Sequence, residues 1–101
     1  MFIAKVVGSV VATQKTKSMV GCKLLMIEPY VIDPKSGDRM ITTSRSLVAV
    51  DTVGAGENEF VLIVQGSSAR MTPETKSLPV DATIIGIIDS VHIDRKSISL
   101  E

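Results

Sequence analysis

The sequence predicts a small all-β barrel, and three observations carry that prediction. Of its 101 residues 45% are hydrophobic but only 3% aromatic, so the apolar surface comes from Val, Ile, Leu, Ala and Met. Residues of this kind suit pleated, half-buried strands. They fall in short runs separated by clusters of Gly, Pro, Asp, Asn and Ser, the alternation expected of strands and turns. Counting the runs gives five to seven strands and almost no helix, which at this length points to one domain, 1–101, built as a closed or partly open barrel.

The first strand is expected from Phe2 to Thr13, rich in Val, Ile and Ala, with Lys5 and Ser9 on a wetter face and Gly8 marking a bulge or bend. A polar loop, 14–18, follows. Lys23 to Ile32 reads as the second strand, in which Pro29 requires an edge or a bulge because it has no N–H to give a ladder. The cluster Asp33-Pro34-Lys35-Ser36-Gly37-Asp38 makes a tight connection to a returning strand, Met40 to Thr43. Ser46 to Asp51 and Glu59 to Gln65 are two further strands, joined by a glycine-rich loop that contains Gly54, Gly56 and Asn58. After Gly66 the pattern breaks, and a one-turn helix is expected to start at Ser68 or at Thr72 ahead of Pro73. Ala82 to Ile88 is a buried strand, and Val91 to Leu100 is a terminal hairpin turning near Arg95 and Lys96.

The runs Val61-Leu62-Ile63-Val64 and Ile84-Ile85-Gly86-Ile87-Ile88 are apolar at consecutive positions, so both faces of each strand seek cover. A barrel interior takes one face. Without helices to cover the other, association with further copies of the chain is the expected outlet.

Eleven basic residues balance eleven acidic ones, which excludes the strong electrostatic footprint of a nucleic-acid or anionic-membrane binder. One cysteine, Cys22, permits neither an internal disulfide nor a thiolate-rich zinc site, and a reducing compartment fits. Neither a secretory signal nor a membrane span is expected, since no apolar run approaches about 18 residues.

Gly54-Ala55-Gly56 resembles the start of a dinucleotide fingerprint, but it lacks the third glycine and is followed by a strand instead of a helix. A tight loop is the better reading. Gly66-Ser67-Ser68-Ala69-Arg70 offers a serine and an arginine without a base to activate the serine. His92, the one histidine, lies on a terminal strand and reads as a surface residue, because neither a triad nor a metal site is made from one side chain. Asp51, Asp81, Asp89 and Asp94 stand at strand ends, where Asp bonds turn backbone. No catalytic residue, cofactor or metal is expected. The competing class is an OB-type binder of single-stranded nucleic acid, which needs a basic groove with exposed aromatics. Phe2, Tyr30 and Phe60 are scattered, and Phe60 sits in an apolar strand expected to be core.

Three segments together resemble the EutN/CcmL family of bacterial microcompartment vertex proteins. They are Gly8-Ser9-Val10-Val11-Ala12-Thr13-Gln14-Lys15 continuing through Gly21 to Lys23-Leu24-Leu25; Val48 to Gly56 and on through Val61-Leu62 to Gly66-Ser67-Ser68-Ala69-Arg70; and Pro79-Val80-Asp81-Ala82 followed by Ile84 and Gly86-Ile87-Ile88-Asp89. In this order they cover nearly the whole chain. Two departures stand out: Asn58 where the family commonly has glycine, tolerable because Asn visits left-handed backbone most readily after glycine, and Met19 where it often has Leu.

The resemblance implies a five- or six-stranded OB-like barrel with one short helix, assembled as a ring and without enzymatic activity. The implied partners are further copies of the chain, as a homopentamer with a hexamer also possible, and hexameric shell proteins; nucleic acid and membrane are not among them. It implies a cytoplasmic location in the shell. Gly54, Ala55, Gly56, Glu57 and Asn58, together with Gly66, Ser67, Ser68, Ala69 and Arg70, are expected at subunit contacts or near the ring axis, since special backbone in a small barrel needs a purpose.

Overall fold

The computed structural model describes residues 1–12, 16–19, 21–76 and 80–100, and of Ser68 the backbone alone. The expected loop at Gln14 and Lys15, like Thr13 and Pro79 of the resemblance, lies outside the described residues. Eight strands are present among those described: β1 (Phe2–Val10), β2 (Lys23–Ile32), β3 (Met40–Thr42), β4 (Leu47–Asp51), β5 (Phe60–Gln65), β6 (Ala82–Ile88), β7 (Val91–Ile93) and β8 (Lys96–Ile98). β2 and β6 match their sequence limits. β1 stops earlier than expected because its last rung is Val10↔Leu24, after which β2 offers it no partner and Val11 is exposed.

The sheet runs β1-β5-β6-β4-β2-β3, and a further β1–β2 pairing closes five of these strands into a barrel, with β3 extending β2 beyond it. Every barrel pair is antiparallel except β4–β6. This is the OB-like strand order that the resemblance implies. Closure is thinnest at the parallel seam, where β4 and β6 share only Val50↔Thr83 and Asp51↔Ile84. Gly8 marks the expected irregularity, a register shift between Val6 and Gly8. Pro29 is also accommodated. Its carbonyl accepts from the Thr43 N–H, so its nitrogen faces the same flank, in the gap between the last β4 rung at Ile27↔Leu47 and the first β3 rung at Tyr30↔Thr42.

The interior is aliphatic, with Ala4, Val6, Leu25, Ile27, Ala49, Val61, Ile63 and Ile84 forming one cluster. β5 is covered on both faces to a greater extent than the pattern suggests. Val61 and Ile63 point inward, while Phe60 and Val64 are also buried and only Leu62 is half-buried. Phe60 is buried as expected but outside the main cluster, meeting Tyr30 edge-to-face with ring centres 5.0 Å apart and Lys5 above its ring. In the second expected run Ile87 is exposed, and further apolar surface lies outside at Val7, Val11, Val31, Val48, Val53, Met71 and Ile93.

Two local expectations are corrected. The helix is a 3-10 segment, Gly66–Arg70, beginning as soon as β5 ends; Thr72 and Pro73 instead open a single turn in which Thr72 Oγ1 accepts from the Thr75 N–H at 3.1 Å. A second 3-10 turn, Lys17–Met19, precedes β2. The terminal hairpin turns at Asp94 and Arg95, one residue before the expected position, with φ of 50° and 65°. Two central residues with positive φ give the twist that a two-residue hairpin needs.

Candidate assembly surfaces

The loop after β4 is organised by one carboxylate. Asp51 Oδ1 accepts from the N–H groups of Val53 (3.0 Å) and Gly54 (3.1 Å), and Oδ2 accepts from Ala55 N–H (2.8 Å). Lys23 completes the arrangement: its Nζ lies 3.3 Å from Asp51 Oδ2 and donates to the Ala55 carbonyl at 2.7 Å. The Asp51 side chain is fully shielded from solvent, whereas that of Lys23 is half exposed. Three converging N–H groups satisfy a buried carboxylate far better than the ion pair alone.

The loop therefore folds over the barrel end, and Ala55 enters the core as its plug. Gly54 has φ of 83° and Asn58 φ of 69°, so the asparagine takes the left-handed conformation expected of it. Gly56 is different. Its φ is not positive; a Cβ there would stand 3.3 Å from Glu59 Oε1, which accepts from the Gly56 N–H at 2.6 Å. The loop's end rejoins the sheet through Asn58 N–H to Val6 carbonyl and Val6 N–H to Glu59 carbonyl.

At the other end of β5, the segment Gly66–Arg70 is pinned by Gly66 N–H to the Asp81 carbonyl and by the buried Thr83 hydroxyl, which donates to the Ala69 carbonyl at 2.7 Å. Ala69 is fully buried; Gly66, Ser67 and Arg70 are exposed. The six residues of β5 separate the two segments by roughly 17–20 Å. They are thus two places on the barrel. Because Ala55 and Ala69 point inward, outward contact among the fully described residues falls to Gly54, Gly56, Glu57 and Asn58 at one end and to Gly66, Ser67 and Arg70 at the other.

Two features were not singled out from the sequence. The first is an apolar groove of about 220 Å³ on the β4–β6 seam, lined by Met19, Leu24, Val48, Val50, Val80 and Asp81 among others. The second is the docking of the C-terminal hairpin on the β2–β3 turn, a turn itself expected from Asp33 to Asp38. Asp33, buried, accepts from the Lys35 N–H at 2.9 Å and from Arg39 Nε at 3.2 Å. Those contacts, the Lys35 N–H foremost, hold its carboxyl below the ordinary value of 3.8 against the opposing effect of burial. The C-terminal hairpin docks on this turn, Met40 N–H to Ser99 carbonyl at 2.7 Å and Ser99 N–H to Asp38 carbonyl at 2.9 Å. A polar turn and a distant Ser99 give no joint signal in sequence.

His92 is exposed on β7 and Cys22 is half-buried beside Met19 and Leu24. Among the described residues no three His, Cys, Asp or Glu side chains converge as metal ligands. No described helix is long and apolar enough to cross a membrane.

Residues 1–89 match the family model described as ethanolamine utilisation protein EutN/carboxysome. The carboxysome shell vertex protein CcmL of Synechocystis is 42% identical over 98 residues, spanning 97% of this chain and 92% of that protein. The solved CcmL of Nostoc superposes with a TM-score of 0.85 at 40% identity, covering 100% of both chains. The pentameric microcompartment shell protein GrpN of Rhodospirillum rubrum superposes at 0.75 with 39% identity, covering 92% of this chain and 98% of that one.

Proposed function

The chain belongs to the EutN/CcmL family, and we propose that it is a structural shell protein that forms pentamers at the vertices of a bacterial microcompartment. The observation that carries this is the near full-length likeness, in sequence and in barrel, to proteins named as shell vertex proteins, one of them a solved pentamer. The function is geometric. Sixfold tiles make a flat sheet, and fivefold units let it curve shut.

On this reading the chain is not an enzyme, its partners are its own copies and hexameric shell tiles, and it resides in the cytoplasm within the shell. The two barrel-end segments, Gly54 to Asn58 and Gly66 to Arg70, lie at subunit contacts or near the ring axis. Their rigid anchoring on Asp51 and Thr83 supports that role, because a contact surface held by buried hydrogen bonds loses little entropy on docking. The nucleic-acid alternative is disfavoured by Tyr30 and Phe60, which pack on each other instead of presenting a row of open ring faces.

Native mass spectrometry of the purified chain should give five copies. Deleting the gene in its host should leave tiles and cargo enzymes individually active while compartments become elongated or fail to close. Closed polyhedra of normal shape, in a host with no other vertex-type protein, would refute the proposal.

A further inference from the structure

A cyclic ring cannot be built from one self-complementary patch; each subunit must offer two different surfaces that fit one another. Resting on the ring reading above, we propose that these surfaces are the β4–β6 groove of one copy and the tip of the C-terminal hairpin, β7–β8, of the next.

Among the described residues, both halves keep exposed aliphatic surface. Val48 in the groove is 44% exposed and Ile93 on the hairpin 40% exposed. In cis they lie apart: Val48 pairs with Met26 of β2, while the hairpin's anchor, Ser99, is bound at the turn beyond Ile32, roughly 20 Å away along the strand. The hairpin itself needs support. Its root is held by Ser99 on the β2–β3 turn and by the buried Ile98, but its strands are three residues each, and a short two-stranded ribbon is marginal in water beyond such an anchor.

Shape and charge favour a second copy as the occupant. Cross-strand neighbours share a face, so Ile93 and its partner Lys96 lie on the side that carries Val91 and the buried Ile98. That arrangement presents an aliphatic side chain beside Lys96, with Asp94 and Arg95 at the adjoining turn, so the tip carries two cations against one carboxylate. The groove is aliphatic and its charged lining residue is Asp81, which is exposed. Its volume of about 220 Å³ exceeds the roughly 150 Å³ that accommodates benzene in an apolar protein cavity, so a branched aliphatic side chain fits. Ile93 would enter between Val48 and Val80 while Arg95 or Lys96 meets Asp81.

The test uses two full-length variants, Ile93→Asp and Val48→Asp, each changing an exposed position, with far-UV circular dichroism to verify that the barrel is retained. Alone, each should require at least a roughly tenfold higher protomer concentration to assemble, from lost apolar burial and an introduced charge. Mixed, they should form a one-to-one dimer and nothing larger, since the intact hairpin of the Val48→Asp chain fits the intact groove of the Ile93→Asp chain and both remaining surfaces are spoiled. Native mass spectrometry reads all three samples. Unchanged pentamers from either variant, or a mixture that stays monomeric, would overturn the pairing while leaving the vertex reading intact. A monomeric unsubstituted chain would remove both.

Discussion

Replacing Asp51 by Asn tests whether a single carboxylate holds the barrel's end in place. The substitution keeps the size of the side chain but turns one of its two acceptor oxygens into a donor. If the amide oxygen stays on the Val53 and Gly54 N–H groups, the NH2 group confronts the Ala55 N–H and the Lys23 ammonium. The Ala55 N–H then loses its acceptor in a buried place, which costs about 1–3 kcal/mol. The ion pair adds at most about 1 kcal/mol, because the Lys23 side chain is 52% exposed. A loss of about 1–4 kcal/mol follows, at about 4–8 °C in Tm per kcal/mol for a domain of this size. Urea unfolding should be followed at one fixed protomer concentration, since assembly stabilises by mass action. Lys23→Met should cost far less than Asp51→Asn, because the three backbone bonds survive it. Equal costs for the two variants, or an Asp51→Asn midpoint unchanged within about 0.5 kcal/mol, would refute the assignment of the loop to the carboxylate.

Two further outcomes are expected. Gly56→Val places a branched side chain against Glu59 Oε1, where a bare Cβ would already stand at 3.3 Å, and so should release the Gly56–Glu59 bond and lower the yield of assembled ring in size-exclusion chromatography. An unchanged yield and Tm would show that the loop carries no such constraint. The second concerns pH: the folded-state value of Asp33 is depressed, so its contribution is complete above the ordinary carboxylate range and is lost as pH falls below about 4 and through the folded value. Stability should therefore decline on acidification less steeply in Asp33→Asn than in the unsubstituted chain, and parallel slopes would rule the turn out as a source of acid sensitivity.

What the sequence made legible follows from which interactions are local. Strand limits at β2 and β6 are readable because hydrophobic runs end at Asp33, Asp81 and Asp89. The left-handed Asn58 is readable because few residues adopt that conformation. The 3-10 segment was placed too late because its order comes from Gly66 N–H to Asp81 and from Thr83 to Ala69, both remote in sequence. For the same reason the groove and the docking of Ser99 on the β2–β3 turn were invisible: each joins segments that periodicity treats separately. The outer apolar face expected on two runs is present on residues 84–88, where Ile87 is exposed, but not on residues 61–64. Tyr30 covers Phe60 of β5, and Val7, Val11, Val31, Val48, Val53 and Ile93 are exposed aliphatics outside the two expected runs.

The position of the groove connects fold with assembly. The β4–β6 seam has two rungs, whereas β5–β6 has six and β4–β2 five, so the barrel is closed most weakly where the groove lies. Asp51 and Thr83 reinforce one rung each, tying the neighbouring loop and 3-10 segment to the seam. Those bonds hold the ends of the gap but add no apolar burial across it. A neighbour's side chain in the groove would add that burial against Val48, Met19 and Leu24 and would remove Asp81 from bulk water beside a cation. Closing the ring would then also close the barrel, so amide exchange at Val50 and Ile84 should slow on assembly by more than exchange in the six-rung β5–β6 ladder. Uniform slowing across both ladders, or none at the seam, would place the contact elsewhere.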